Sequence, residues 1–78
     1  MTHKAIVYSR HAAEMAKARR ISRADVRWLI ARGVRTPAPT LHGEQRWKVV
    51  GKVGKRELGV VFIERANDIL LVTVEEEW

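Results

Sequence analysis

The sequence predicts an α+β fold in which two short helices pack on one face of a four-stranded, mainly antiparallel sheet. Three observations predict it. The chain has 78 residues, which is room for one domain; two helix starts follow one another in its first half; and three β-prone stretches separated by turn residues fill its second half. The predicted order of elements is β-α-α-β-β-β, and residues 1–78 are treated as a single domain.

The first predicted elements are a strand and a helix that meet at a serine. Residues 4–8 (KAIVY) are β-prone, and Ser9 is a good N-cap for the helix formers that continue through Arg19. Ala12 and Ala16 recur at helical spacing, so the helix has a narrow apolar stripe that allows close packing.

The second predicted helix has the clearest start signal in the chain. Ser22 can cap it, and Asp25 three residues later completes a capping-box-like pair. The helix should run to about Arg32, and we expect Gly33 to close it in the left-handed conformation. Residues 34–44 contain both prolines and a glycine, so they are interpreted as a loop that crosses to the sheet.

Three β-prone stretches follow this loop and predict an antiparallel meander. They are residues 46–53, 56–64 and 69–75, with turns at residues 54–55 and 65–68. In the first stretch Trp47, Val49 and Val53 alternate with Arg46, Lys48, Val50 and Lys52; in the last, Leu70, Val72 and Val74 alternate with Ile69, Leu71 and Thr73. If the helices cover the apolar face, Arg46, Lys48 and Thr73 project from the open face.

The charge of the chain is concentrated in its first half. The net charge is +6, and residues 1–36 hold nine basic and two acidic residues, whereas the remainder holds six and seven. Arginine suits bidentate phosphate contacts, so a polyanionic partner is predicted, with a solvated surface as the alternative. One helical stripe contains Arg20, Arg23 and Arg27. Trp28 lies roughly opposite Val26 and Ile30 on the helical wheel, so we expect it to be exposed. An exposed tryptophan there could stack on a base or anchor a partner.

Several chemistries are disfavoured by composition. There is no cysteine to act as a nucleophile, and three scattered histidines are a poor basis for a zinc site, so no metal or other cofactor is expected. The apolar run at residues 5–8 is too short for a signal-peptide core or a membrane span, so we expect a soluble, cytoplasmic protein.

Three short motifs carry a resemblance to a known family. The sequence Ser9-Arg10-His11-Ala12, followed by Arg19-Arg20-Ile21-Ser22 and Leu71-Val72-Thr73-Val74, resembles a small bacterial domain of unknown function whose members read S-x-H-A, R-x-I-S and I-V-T-V. That family is similar to the RelE and BrnT toxins and is grouped with barnase-like, colicin-type and RelE-type ribonucleases. The resemblance implies a RelE/barnase-like fold, metal-independent cleavage of single-stranded RNA in a toxin–antitoxin or conflict system, and an antitoxin protein as partner.

A catalytic set of four residues is predicted from this resemblance and from residue chemistry: His11, Arg19, Lys48 and Thr73. Imidazole has a pKa suited to proton transfer, and arginine can stabilise phosphate charge, a role that Arg20 could fill in place of Arg19. Lysine on the open face can hold the RNA strand, and the threonine hydroxyl can position the phosphate or the attacking 2′-hydroxyl. The predicted nucleic-acid-binding residues are Arg10, Arg20, Arg23 and Arg46.

Each assignment has a simpler alternative. His11 could form only a structural hydrogen bond near the strand–helix corner, charged residues are normal on the outer face of a strand, and Thr73 suits a strand by propensity alone. His3 and His42 are assigned no role. For the whole protein, the alternatives are a non-catalytic RNA- or DNA-binding module and a protein-interaction domain that forms a homodimer through its mixed sheet face and Trp28.

Overall fold

A computed structural model describes residues 4–40 and 43–77 of the chain. The elements are β1 (Ala5–Tyr8), α1 (Arg10–Ala18), α2 (Arg23–Arg32), β2 (Thr36–Ala38), β3 (Arg46–Val53), β4 (Arg56–Glu64) and β5 (Asp68–Glu77). The strands form one sheet in the order β1-β5-β4-β3-β2, in which β1 runs parallel to β5 and the other pairs are antiparallel. The α+β class and the two helices are confirmed.

The sheet has five strands in the described residues, so the prediction of four strands in the order β-α-α-β-β-β is wrong. Residues 36–38, predicted as loop, form β2 and pair with β3, with Pro37 opposite Trp47. The proline gave a loop signal because it cannot donate a backbone hydrogen bond. An edge strand needs partners on one side only, so a proline is tolerated there.

Ser9 joins the first helix to the sheet. Its side-chain oxygen accepts a hydrogen bond from the Ala12 N–H (3.0 Å), and its hydroxyl donates to the Val72 carbonyl (3.1 Å). Its backbone N–H donates to the Leu71 carbonyl (2.9 Å). The predicted N-cap is therefore confirmed, and it also fixes the start of α1 beside β5.

The corner between the helices is a Schellman motif with arginine in place of glycine. Arg20 adopts φ 54°, and the Ile21 N–H donates to the Ala16 carbonyl (2.9 Å) while the Arg20 N–H donates to the Lys17 carbonyl (3.3 Å). These are the two backbone bonds that define the motif. Because a side chain at positive φ crowds the backbone, Arg20 is a strained position.

We expect Arg20→Gly to stabilise the protein by about 0.5 to 1 kcal/mol, because glycine adopts the left-handed conformation without steric cost. The measurement is the free energy of unfolding in urea. Arg19→Gly is the control, because Arg19 has φ −97° and gains nothing from glycine there. A variant at Arg20 that is less stable than wild type would contradict the strain argument.

Arg56 holds the same corner from the sheet. Its guanidinium donates to the carbonyls of Arg19 (2.7 Å) and Arg20 (3.1 Å) and to the Glu76 carboxylate (3.1 and 3.2 Å). The Arg56 hydrogen bond lowers the pKa of Glu76 from its ordinary value. A cation therefore sits at the C-terminal end of α1, where the helix dipole and the unpaired carbonyls favour it.

The second helix begins and ends where predicted. The Ser22 side chain accepts from the Asp25 N–H (3.1 Å), and α2 ends at Arg32. The predicted left-handed Gly33 is wrong, because this residue is extended (φ −78°, ψ 161°). A Cβ there would overlap Val49 Cγ1 and come within 2.7 Å of the Leu29 carbonyl oxygen. Gly33 is thus required by the close approach of the end of α2 to β3.

Both helices contribute to the core on one face of the sheet. The buried cluster consists of Ile6, Ala12, Ala16, Ile21, Val26, Leu29, Ile30, Val49, Leu58, Val60, Phe62, Ile69, Leu71 and Val74. In β3 the predicted alternation is confirmed, since Val49 is fully buried while Lys48 and Val50 lie on the opposite face.

A β-bulge changes the predicted faces of β5. Phe62 pairs with Leu71, but Val61 pairs with Thr73, so Val72 is an extra residue. Ile69 and Leu71 before the bulge and Val74 after it are all in the core. The predicted assignment of side chains to the two faces of β5 is therefore wrong for residues 69–71 and right for Thr73. In residues 4–40 and 43–77, neither helix is long and apolar enough to cross a membrane.

Candidate nucleic-acid interface

The open face of the sheet carries two of the four predicted catalytic residues. Lys48, Val61 and Thr73 are neighbours in register across β3, β4 and β5, so their side chains share one face. Lys48 and Thr73 are separated by two strand spacings, which is about 10 Å. Their common face is as predicted.

Lys48 is occupied by internal carboxylates. Its Nζ lies 2.9 Å from Glu77 Oε1 and 3.3 Å from Glu75 Oε1, and the hydrogen bond with Glu77 is the main cause that raises the pKa of Lys48. Gly59 of the intervening strand makes room for this contact, because a Cβ there would lie 2.8 Å from Glu77 Oε1. A phosphate would have to displace both carboxylates to bind this lysine.

The open face as a whole is electrically balanced. Strands β3, β4 and β5 place three basic and three acidic side chains there: Arg46, Lys48, Lys52, Glu57, Glu75 and Glu77. Arg46 Nε is buried and has no hydrogen-bond partner within the described residues. The cationic floor predicted for this face is therefore neutralised by acidic side chains.

The other two predicted catalytic residues lie at opposite ends of α1. His11 is exposed in the first turn, and Arg19 follows the last residue of the helix. Eight residues of helix separate them by about 12 Å along the axis. Helix α1 packs on the side of the sheet away from Lys48 and Thr73, so the structure does not bring the four residues together. His3 and His42 lie outside the described residues.

Arg23, predicted to bind nucleic acid, makes contacts within the fold. Its guanidinium donates to the Ile6 carbonyl (3.1 Å), and its central carbon lies 4.4 Å from the centre of the Tyr8 ring. Burial raises the pKa of the Tyr8 hydroxyl, and the positive charges of Arg23 and Arg27 oppose that rise. Arg23 therefore stabilises β1 as well as contributing charge to the surface.

Arg27 extends this contact along the edge of β1 by donating to the Lys4 carbonyl (3.3 Å). In a parallel pair alternate residues bond to the neighbouring strand. Since Ser9 bonds to β5, the carbonyls of Lys4 and Ile6 point away from it. The two arginines thus cover backbone groups that would otherwise form an open sheet edge.

The exposed cations of the helical layer form the largest excess of charge in the described residues. We define the helical basic surface as Arg10, Lys17, Arg19, Arg20, Arg23, Arg27 and Arg32, all of them exposed. Glu14 and Asp25 are the acidic residues of the same segment, so its net charge is +5. Among the described residues Lys17, Arg20 and Arg32 form no ion pair, and they are therefore free to contact a ligand.

Trp28 lies on α2, the helix that carries three of these cations, and its predicted exposure is confirmed: 47% of it is accessible to solvent. One side of the indole borders a cleft of about 310 Å³, also lined by Ala24, Asp25, Lys52, Val53 and Gly54. The sequence singled out Trp28 but missed Lys17 and Arg32. The exposure of Lys17 could have been predicted, because on the helical wheel this residue lies away from Ala12 and Ala16, which are buried.

No metal site is evident in the parts of the chain that the structure describes. Within residues 4–40 and 43–77, no three His, Asp or Glu side chains lie close enough to hold a metal ion.

Comparison with protein families identifies the domain. The family model described as a domain of unknown function, DUF4258, matches residues 8–76. The chain belongs to this family. Comparisons with curated proteins and with solved structures gave no match. The expected membership in a domain family of unknown function is confirmed, and nothing in these comparisons ties this DUF4258 domain to RelE or BrnT toxins.

Proposed function

We propose that this DUF4258 domain is a module that binds single-stranded RNA through the helical basic surface. The observation that carries the proposal is an exposed indole, Trp28, on a helical layer whose net charge is +5. A surface that binds single-stranded RNA has two parts. Its cations contact successive phosphates, and its aromatic ring stacks on a base.

The two faces of the molecule differ in what RNA would have to displace. Lys48 on the open face is held by two carboxylates, whereas Lys17, Arg20 and Arg32 form no ion pair among the described residues. Phosphates can therefore bind these three side chains without breaking an internal ion pair. An exposed indole favours RNA with unpaired bases over a duplex, because bases in a duplex are already stacked.

Replacing Trp28 by alanine is expected to weaken binding to an unstructured 12-residue RNA by about tenfold, the loss of one stacked base. Fluorescence anisotropy in EDTA measures the affinity. Val34→Ala is the matched control, because Val34 is an apolar residue 81% exposed outside the helical basic surface. Equal affinities for wild type and Trp28→Ala, or equal binding of duplex DNA, would contradict base stacking.

A second candidate is a metal-independent ribonuclease of the toxin type. It is supported by the resemblance to RelE-like toxins and by the exposed imidazole of His11 beside Arg10 at the start of α1. In such a reaction the RNA 2′-oxygen attacks the adjacent phosphorus and gives up its proton while the bond from phosphorus to the 5′-oxygen breaks. The leaving 5′-oxygen takes a proton from an acid or from water, so the products are a 2′,3′-cyclic phosphate and a 5′-hydroxyl end. His11 is the group proposed to take the proton from the 2′-oxygen.

The RNA used for binding also tests this candidate. Fragments ending in a cyclic phosphate that appear in EDTA with wild type and disappear with His11→Ala would favour the enzyme, and Arg10→Gln serves as the neighbouring control. Bound but intact RNA favours the module. If the protein is such a toxin, an acidic segment of an antitoxin would cover the helical basic surface. The same hypothesis includes a cytoplasmic location and a RelE/barnase-like arrangement of the helices and the sheet.

A further inference from the structure

A second charged site lies beside the C-terminal half of α2, in a cleft of about 300 Å³ between this helix and the sheet. We name it the Glu64 cleft. Its charged side chains are Lys4, Arg27, Arg35 and Glu64, which give it a net charge of +2. Arg27 is the one member of the helical basic surface among its lining residues, and none of Lys17, Arg20, Arg32 or Trp28 lines it, so the site can be tested separately from the RNA-binding proposal.

The floor of the Glu64 cleft is apolar. Ile6, Ile30 and Ile69 line it, and each is 6 or 7% exposed because it also belongs to the core. Ligand sites combine such apolar surface with a few placed charges, and their volumes start at about 300 Å³. The Glu64 cleft therefore suits a ligand with an apolar or planar body and an anionic group.

The cations of the cleft are held in place by other parts of the fold. Lys4 Nζ donates to the Arg65 carbonyl (2.8 Å), and Arg35 lies over the Phe62 ring, with 4.9 Å between guanidinium carbon and ring centre. Arg27 donates to the Lys4 carbonyl (3.3 Å). Since these contacts fix the side chains without neutralising them, a bound anion would order few additional groups.

Glu64 is the anionic group that these cations contact within the fold. Lys4 Nζ lies 2.8 Å from Glu64 Oε2, and Arg35 donates to Glu64 Oε1. The hydrogen bonds from Lys4 and then Arg35 lower the pKa of Glu64. One carboxylate neutralises one of three cations, so two positive charges remain beside an apolar floor.

We infer that the Glu64 cleft binds a phosphomonoester carried on a nucleoside-sized body, and that the Glu64 carboxylate occupies part of the phosphate position when no ligand is bound. A phosphomonoester carries nearly two negative charges at neutral pH, which matches the +2 charge of the cleft. The phosphate displaces Glu64 from Lys4 and Arg35, and the nucleoside covers Ile30 and Ile69. The source is either a free nucleotide or the 5′-phosphorylated end of a nucleic-acid strand.

Titration with uridine 5′-monophosphate, followed by amide chemical shifts in 15N-labelled protein at constant ionic strength, tests the site. Glu64→Gln is expected to bind about tenfold more tightly than wild type, because the competing carboxylate is gone, and Arg35→Gln about tenfold more weakly. Both variants break the same ion pair. A purely structural role for that pair would move the two affinities in the same direction.

Matched controls separate the site from general charge effects. Glu57→Gln removes one negative charge from the open sheet face and should leave the affinity within about twofold of wild type. Uridine without phosphate should bind at least about tenfold more weakly than the monophosphate. A Glu64→Gln affinity equal to or below wild type, or shifts that spread over the helical basic surface instead of the cleft, would overturn the inference.

Two further ligands identify the source of the phosphate. If a dinucleotide with a 5′-phosphate shifts the same amide resonances as the monophosphate, the site binds the 5′-phosphorylated ends of strands. If the monophosphate alone shifts them, the site binds free nucleotides. Shifts with the dinucleotide lacking the 5′-phosphate would overturn the inference. Loss of RNA binding in Trp28→Ala, with the monophosphate affinity unchanged, would show that the two surfaces act separately.

Discussion

Gly33→Ala is expected to destabilise the protein by about 3 kcal/mol or more, a large share of the stability of so small a domain. The added Cβ would overlap Val49 Cγ1 and lie 2.7 Å from the Leu29 carbonyl oxygen. Val49 is fully buried in β3, and the Leu29 carbonyl accepts the Gly33 N–H that ends α2 (2.7 Å). Neither neighbour can move without opening the contact between α2 and the sheet.

Gly51→Ala is the matched control for this result. Its Cβ would lie 2.8 Å from Leu29 Cδ2, which is the free end of a side chain and can shift. We therefore expect a clearly smaller loss of stability than at Gly33, although Gly51 faces the same helix from the same strand as Val49. Urea denaturation followed by far-ultraviolet circular dichroism compares the variants. Similar midpoints for the two would contradict the rigid-contact argument.

Local signals predicted most of the elements. Ser9 and Ser22 each cap a helix by accepting a backbone N–H, and the two meander turns fall between the predicted strands. These signals work because a cap or a turn satisfies backbone groups within a few residues of itself. The long-range result, two helices on one face, followed from the apolar alternation in β3.

The errors arose where the deciding contact is distant in sequence. Gly33 was expected to be left-handed, but its extended backbone is set by Val49, 16 residues later. Residues 36–38 became a strand because β3 offered an unpaired edge, and the bulge at Val72 is defined only by its partners in β4. One extra residue in a strand moves every side chain before it to the opposite face of the sheet, and a pattern of alternating residues in the sequence cannot reveal this.

The candidate site shows the same limit. Alternation placed Lys48 and Thr73 on one face correctly, but it could not show that Glu75 and Glu77 reach across Gly59 to the lysine. Composition located the positive charge in the first half of the chain, and the structure shows that this charge lies on the helical side. Ion pairing within the fold, as well as the positions of the basic residues, decides which cations a phosphate can contact without displacing a carboxylate.

Replacing Lys17, Arg20 and Arg32 together by glutamine is expected to weaken RNA binding about a hundredfold at low salt and to reduce the slope of log affinity against log salt by about 2. These three cations form no ion pair among the described residues, so each can release a counterion from a phosphate. Anisotropy titrations at four salt concentrations give both quantities.

The matched control is the triple variant of Arg46, Lys48 and Arg65 to glutamine, which removes the same charge from the open sheet face and from the turn between β4 and β5. If binding depends on net charge alone, both triple variants lose the same affinity and the same slope. If RNA follows the helical basic surface, the control keeps most of both, because charges beyond about 10 Å are screened at moderate salt. Equal losses would therefore refute the assignment of the interface to the helices, whatever the affinity of the wild-type protein.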